Sequence, residues 1–126
     1  TDFGCLTILA QDKVGGLEIR QVDGTWITAS PRPDTLVINL GDMLELWTGH
    51  YFLATPHRVR SPRGASTRYS IPFFFEPDLD TVVTPIAPES LPPFEREPSH
   101  IPPLDPILYG QHMLKAFHRS YPGIAP

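Results

Sequence analysis

Four polar residues have the types and spacing of a metal site with an anion-binding pair beside it. His57 lies in a mostly apolar stretch, Arg68 and Ser70 follow it, and Asp2 stands at the start of the chain. Histidine and aspartate are common ligands of first-row metals, and an arginine fork with a hydroxyl beside it suits a carboxylate. Together the four residues predict a metal ion with an organic anion next to it.

The environment of Arg68 supports the anion-binding part of this prediction. Residues two apart on a strand face the same side, so Arg68 and Ser70 share a face with Pro72 and Phe74. A buried guanidinium without a partner is costly, and no acidic residue stands at a matching position on a neighbouring strand. A ligand carboxylate would satisfy it. The alternative is an outward Arg68 in a surface ion pair.

Each ligand candidate also has an ordinary structural explanation. A lone histidine such as His57 is commonly a hydrogen-bonded structural residue, and an aspartate near a terminus, such as Asp2, is commonly solvated. Only their combination with the arginine–serine pair favours a site. The remaining histidines have no ligand spacing, and we expect no metal contact from His50, His100, His112 and His118.

Length and composition exclude several classes of protein. A chain of 126 residues predicts one domain. Its net charge of −4 argues against a nucleic-acid partner, which needs a clustered basic face. No apolar run approaches the ~20 residues of a membrane span, so we expect no membrane partner. The one cysteine, Cys5, is expected to be a packed residue in a reducing setting, which predicts a cytoplasmic location.

Short β-prone runs separated by turn signals fill the first 76 residues. Val14-Gly15-Gly16, Asp23-Gly24 and Pro62-Arg63-Gly64 are the turn signals, and one or two helical turns are expected over 43–47. Strands without alternating long helices predict an all-β sandwich or barrel core. The predicted strands are 1–9, 17–20, 25–28, 36–40, 52–60 and 67–75, with 36–40 buried by its apolar composition.

The last 50 residues differ in composition. Nine prolines fall between Pro77 and Pro106, and proline cannot donate to a ladder. We therefore expect residues 77–106 to wrap over the surface in an extended conformation without forming another sheet. Apolar residues at helical spacing from Leu108 to Tyr121 predict an amphipathic C-terminal helix. The predicted division is a core at 1–76, a proline-rich segment at 77–106, and a helix and tail at 107–126.

Four motifs in order carry a family resemblance. They are Thr1-Asp2-Phe3-Gly4-Cys5-Leu6-Thr7, Asn39-Leu40-Gly41-Asp42, Thr55-Pro56-His57-Arg58-Val59 and Arg68-Tyr69-Ser70-Ile71-Pro72-Phe73-Phe74. The chain resembles the C-terminal half of the isopenicillin N synthase-like branch of the Fe(II)/2-oxoglutarate-dependent dioxygenases. The resemblance covers residues 1–76 closely. It implies an incomplete double-stranded β-helix, or jelly roll.

The resemblance also implies roles for individual residues. Asp2 and His57 would be iron ligands, and Arg68 and Ser70 would bind the distal carboxylate of 2-oxoglutarate. No catalytic residue beyond the metal centre is implied. The cofactors would be Fe(II), 2-oxoglutarate and O2, with ascorbate as a further candidate. A substrate pocket would be lined by Phe74, Thr7 and Leu9.

The implied reaction couples oxidative decarboxylation of 2-oxoglutarate to hydroxylation or desaturation of a small molecule. In the family a third ligand, the first histidine of a His-x-Asp pair, would lie immediately before Thr1. Because the chain opens inside a strand-like run, we expect Thr1 to be a cut end and the N-terminal half of the same protein to be missing. Two alternatives stay open: an oxidase of the same fold that does not use 2-oxoglutarate, and a non-catalytic jelly-roll fragment.

Overall fold

Residues 1–61, 67–93 and 105–123 are described by the structure, a computed structural model, and they form two antiparallel sheets with helices and loops around them. Each sheet has three strands. The first sheet has the order β4 (Val37–Leu40), β1 (Leu6–Gln11) and β6 (Ser70–Phe75). The second has the order β3 (Trp26–Thr28), β2 (Leu17–Arg20) and β5 (His57–Val59).

The chain crosses between the sheets at two neighbouring places. β1 pairs with β6 in the first sheet. In the second sheet β2, which follows β1 in the chain, pairs with β5, which precedes β6. The crossing after β1 uses Gly15 and Gly16 at φ of 77° and 92°, and a Cβ on Gly16 would lie 2.5 Å from the carbonyl oxygen of Arg60. Glycine is therefore required here. The turn predicted at 62–64 lies outside the described residues.

The predicted all-β core is confirmed, with shorter strands than expected. The hairpin at Asp23-Gly24 forms as predicted, with Gly24 at φ 86°. The strand expected over 52–60 is reduced to His57–Val59, because Pro56 interrupts the ladder. Among the described residues the sheets do not close into a barrel.

Residues 2–5 are not in β1 because the start of helix α1 (Asp42–Trp47) holds them. The N–H groups of Gly41, Asp42 and Met43 donate to the carbonyls of Cys5, Asp2 and Gly4 at 3.0, 2.8 and 3.1 Å. The first N–H groups of a helix lack partners within it, so this segment completes them. The result is a fixed backbone under Asp2.

Gly41 makes this contact possible, and its replacement gives a first prediction. A Cβ at Gly41 would lie 2.2 Å from the carbonyl oxygen of Gly4. Gly41→Ala should therefore lower the free energy of unfolding by about 1–3 kcal/mol or more, as overpacking does, and should shift the segment that carries Asp2. Chemical denaturation measures the loss. Gly123→Ala is the control, because a Cβ there meets nothing within 4 Å; equal stability of the two variants would contradict the prediction.

The predicted burial of 36–40 is wrong. Ile38 is 53% exposed, and on the same face of the sheet Ile71 and Phe73 are 74% and 60% exposed. Leu6 on that face packs against the core cluster. This outer face of the first sheet (Ile38, Ile71, Phe73) is therefore an open apolar surface in this chain.

The C-terminal part forms a second small layer. Helix α2 (Tyr109–Ser120) confirms the predicted C-terminal helix. The expectation that 77–106 adds no strand is wrong at β7 (Val82–Val83), which pairs with β8 (Ile107–Leu108) just before α2. A short 3-10 helix covers Pro88–Ser90. This ladder is only two residues long, so it fits between the prolines of the segment. Residues 94–104 lie outside the described part.

One core cluster joins the first sheet to both helices. Its buried members are Cys5, Met43, Val83 and Tyr109. Burial raises the pKa of the Cys5 thiol, with the charge of Glu76 adding to the shift, which agrees with its predicted role as a packed residue. Neither helix in the described part of the chain has the length and apolar character needed to cross a bilayer.

Candidate functional site

Asp2 and His57 come together although they are far apart in the sequence. Asp2 lies just before β1, and His57 is the first residue of β5, opposite Ile19 of β2. The Oδ1 atom of Asp2 is 3.5 Å from Nε2 of His57, and both side chains are half-buried. Two ligands that each lie about 2.0–2.2 Å from one ion can be this far apart. The pair can therefore share a metal ion.

The ring of His57 is oriented by its own loop. Its Nδ1 lies 3.0 Å from the carbonyl oxygen of Thr55. A carbonyl only accepts, so Nδ1 carries the hydrogen, and in the neutral ring the lone pair of Nε2 is directed towards Asp2. Metal-binding histidines usually have such a partner. Thr55 was missed as a site residue, although its position two residues before His57 was the available signal.

The two groups also favour each other's charged form. The hydrogen bond with His57 holds the pKa of Asp2 well below its usual range, and hydrogen bonds from Thr7 and Asn39 add to the effect. The hydrogen bond with Asp2 in turn raises the pKa of His57. A metal ion can take the place of the proton between them, because ligands bind metals in their deprotonated form.

The second oxygen of Asp2 is held by two side chains. The Thr7 hydroxyl and the Asn39 amide nitrogen donate to Oδ2 at 2.5 and 2.6 Å. Thr7 is only 4% exposed, and its hydroxyl contacts Asp2. Its pocket-lining role stays a prediction. Asn39 was missed as a site residue, although it lies in one of the motifs noted above and on β4 opposite Thr7.

Helix α1 also organises the loop that leads to His57. Glu45 accepts a hydrogen bond from the backbone N–H of Ala54 at 2.6 Å, and its other carboxylate oxygen lies 2.7 Å from Nδ1 of His50. His50 is thus engaged with Glu45, and its lack of a metal role stays a prediction. One short helix therefore fixes both segments that carry the ligand pair.

The described residues bring together two candidate metal ligands and no third. No group of three histidine, cysteine, aspartate or glutamate side chains in 1–61, 67–93 and 105–123 could hold a metal ion. His112 donates to the Phe3 carbonyl at 3.2 Å and so helps to hold the segment that carries Asp2. His100 lies outside the described residues. The pair supplies one nitrogen and one carboxylate oxygen, which is part of the donor set of a 2-His-1-carboxylate iron site.

Arg68 is arranged to bind an anion. Its Nε donates to the Gly15 carbonyl at 2.8 Å and its Nη1 to the Ser70 hydroxyl at 2.7 Å. Its Nη2 is buried without a hydrogen-bond partner, and no described acidic residue pairs with it. A buried guanidinium nitrogen in this position is costly unless an acceptor arrives. The arrangement favours the inward interpretation of Arg68 over a surface ion pair.

Gln11, which lies opposite Ser70 in the β1–β6 register, is a second polar residue that was missed from the sequence. Its Oε1 is also buried without a partner. A 180° rotation of the amide would present a donor instead of an acceptor. Its position two residues after Leu9 on the same strand face was the available signal.

The remaining pocket candidates share the face that carries Ser70. Phe74 lies opposite Thr7, and Leu9 lies opposite Pro72. Phe74 is 51% exposed, so this face is open in the present chain, and the pocket roles of Phe74 and Leu9 stay predictions. A separate cavity of about 420 Å³ lies between α1 and α2 and is lined by none of these residues.

Comparisons with known proteins agree with the geometry. Residues 1–77 match the model of the 2OG-Fe(II) oxygenase superfamily. The chain is 37% identical to the "Probable iron/ascorbate oxidoreductase" of Dictyostelium discoideum, over 98% of this chain and 35% of that protein. It is 38% identical to the 1-aminocyclopropane-1-carboxylate oxidase of Dictyostelium mucoroides, over 97% and 35%.

A solved structure extends the similarity to the fold. The full-length Neurospora crassa protein solved in complex with alpha-KG and thymine superimposes with a TM-score of 0.76 at 30% identity, covering 96% of this chain and 36% of that one. The predicted incomplete jelly roll is thereby confirmed. The chain spans about a third of the length of the relatives that it matches.

Proposed function

This chain belongs to the 2OG-Fe(II) oxygenase superfamily, and from that premise we propose that it forms the part of a non-haem iron oxygenase that contributes two iron ligands and the co-substrate carboxylate site. One observation carries the proposal: Arg68 has a buried, unpaired Nη2 beside Ser70, in a chain where Asp2 and His57 form a ligand pair. A dicarboxylate bound through the metal at one end would satisfy Arg68 at the other.

In this proposal the chain's own residues bind and orient. Oδ1 of Asp2 and Nε2 of His57 hold Fe(II), and the Thr55 carbonyl keeps the hydrogen on Nδ1 of His57. Arg68 and Ser70 hold the distal carboxylate by charge-assisted hydrogen bonds. With iron and 2-oxoglutarate bound, the site would couple the decarboxylation of 2-oxoglutarate to succinate with oxidation of a C–H bond by O2.

The third ligand would come from the preceding part of the same protein. The residue before Thr1 would be the histidine of a His-x-Asp pair, which the greater length of the relatives supports. The outer face of the first sheet (Ile38, Ile71, Phe73) supports the same proposal. An open apolar surface of this kind normally has a partner, and the N-terminal part of the protein would supply the cover.

The substrate would be a small organic molecule bound on the strand face of Leu9 and Phe74. The similarity to a protein solved with thymine supports the class of small metabolites. Aromatic and aliphatic side chains on this face would also keep water from the oxidised carbon.

A second candidate is an oxidase that uses no 2-oxoglutarate. The 38% identity to a 1-aminocyclopropane-1-carboxylate oxidase favours it, because the substrate in that name carries a carboxylate of its own. Arg68 and Ser70 would then hold the carboxylate of the substrate. Formation of succinate during turnover separates the two candidates.

The first test is an anaerobic titration of the full-length protein with Fe(II) and then 2-oxoglutarate. We expect a visible metal-to-ligand charge-transfer band, because the keto-acid end of 2-oxoglutarate would chelate the iron. The 126-residue chain, run beside it, should give no band at the same concentrations, since its described residues provide two candidate ligands. A full-length protein that binds Fe(II) without the band would contradict the 2-oxoglutarate proposal and favour the oxidase.

A further inference from the structure

Two neighbouring strands each contribute one side-chain hydrogen-bond donor to the same carboxylate oxygen of Asp2. Thr7 of β1 and Asn39 of β4 are direct partners in the antiparallel register. Such partners have side chains on the same face of the sheet. The Thr7 hydroxyl and Asn39 Nδ2 both reach Oδ2 of Asp2, at 2.5 and 2.6 Å. We name this pair of donors the carboxylate clamp (Thr7 and Asn39).

The clamp occupies one oxygen of Asp2 and leaves the other available. A carboxylate oxygen offers about two acceptor positions, and on Oδ2 both are in use. Oδ1 has no donor from the clamp and lies 3.5 Å from His57 Nε2. Hydrogen bonds this short to an ionised group are charge-assisted and orient it well. The two oxygens of Asp2 are therefore not equivalent.

We infer that Thr7 and Asn39 are positioning residues that make Asp2 a one-oxygen ligand through Oδ1. The inference rests on the proposed function, in which Asp2 binds iron. A carboxylate that turned to bind with both oxygens would take a second metal position, and the co-substrate and O2 need the three that the protein leaves open. The clamp holds the carboxylate against that turn.

The chain shows why the clamp suits this task. Asp2 precedes β1, where its backbone is tied to helix α1 through the Asp42 N–H, but that contact does not fix the rotation of the carboxylate. Thr7 and Asn39 supply this missing constraint from the sheet. Outer contacts of this kind commonly change metal affinity about 10- to 100-fold when they are removed.

The test uses the full-length protein and two donor-removing variants. Thr7→Val keeps the shape of the side chain and removes the hydroxyl, while Thr7→Ser keeps the hydroxyl and is the matched control. Asn39→Leu removes the second donor at a half-buried position. We expect Thr7→Val and Asn39→Leu to bind Fe(II) about 10- to 100-fold more weakly in anaerobic chelator competition, and Thr7→Ser to stay within about threefold of wild type.

A spectroscopic readout separates positioning from folding. With saturating Co(II), the d–d absorption of Thr7→Val and Asn39→Leu should differ in intensity and position from that of wild type and Thr7→Ser, because the coordination of Asp2 changes. A purely structural role would lower the melting temperature of the metal-free protein and leave the saturated spectrum unchanged. If Thr7→Val does not fold, Asn39→Leu gives the same test.

Three results would overturn the inference. Unchanged affinity and spectrum in both donor-removing variants, while wild type gives the charge-transfer band, would remove the clamp and leave the proposed function intact. Failure of Thr7→Ser to restore the affinity in a folded protein would also contradict it. A wild-type protein that binds neither Fe(II) nor Co(II) would remove the proposed function together with the inference.

Discussion

Replacing Asp2 with alanine in the full-length protein is expected to abolish iron binding and turnover, and to destabilise the metal-free fold as well. Iron would keep His57 and lose the only carboxylate among its proposed ligands. The fold would lose the acceptor shared by Thr7 and Asn39. A buried donor left without a partner costs about 1–3 kcal/mol, so a loss of about 2–4 kcal/mol in the free energy of unfolding is expected.

A second replacement at the same position separates these effects. The amide oxygen of Asp2→Asn can still accept from the clamp, so this variant should retain most of the stability and still lose iron affinity. Anaerobic Fe(II) titration and urea denaturation measure the two properties side by side. Asp42→Asn is the control. It keeps the backbone hydrogen bond to Asp2, and the described contact of the Asp42 carboxylate is a long one of 3.4 Å with exposed Arg119, so stability should change by less than about 1 kcal/mol. Turnover retained by Asp2→Ala would exclude Asp2 from the site.

The sequence predicted that Asp2 and His57 belong to one site, and the structure places them 3.5 Å apart. Residue type and order were enough for that prediction. Asp2 and His57 are among the few side chains of the right chemistry, and the resemblance places them in order. The partners of these residues depend on more distant structure. Asn39 reaches Asp2 only because β4 pairs with β1 in one register, and a shift of one residue would turn it to the opposite face. No local pattern specifies that register.

The fold was predictable from the sequence to about the same extent as the candidate site. Turn signals such as Asp23-Gly24 and the long apolar run of β6 act locally, and they located most strands. The exposure of Ile38 could not be derived, because burial depends on what packs above a strand and not on its composition. The β7–β8 pair was missed for a related reason. Two-residue strands joined over 23 intervening residues have no period to detect.

Helix α1 contacts both segments that carry the candidate ligands. Its first N–H groups bind the backbone at Asp2 and Gly4, and Glu45 binds the loop before His57. The two ligand-bearing segments are thus fixed to one rigid element. Sites held on rigid elements keep their geometry better than sites on loops.

Arg68→Ala is expected to weaken 2-oxoglutarate binding by about 2–5 kcal/mol, the usual cost of truncating one partner of a buried charge pair. This corresponds to a dissociation constant raised about 30-fold to several thousand-fold. The physical reason is that Nη2 is held in place by the contacts of Nε with Gly15 and of Nη1 with Ser70, and has no acceptor of its own. Anaerobic titration of the charge-transfer band measures the change.

The control for Arg68 is an arginine of the second sheet. Arg58 pairs with Glu18 at 2.7 Å and stacks on Trp26 at 4.0 Å, so Arg58→Ala should lower stability slightly and leave 2-oxoglutarate binding unchanged. Arg68→Lys should fall between wild type and alanine, because an ammonium keeps the charge and loses the fork. If Arg68→Ala retains its iron and loses activity without any change in 2-oxoglutarate binding, Arg68 binds the carboxylate of the substrate. The proposed role of Arg68 in binding the distal carboxylate of 2-oxoglutarate would then be wrong.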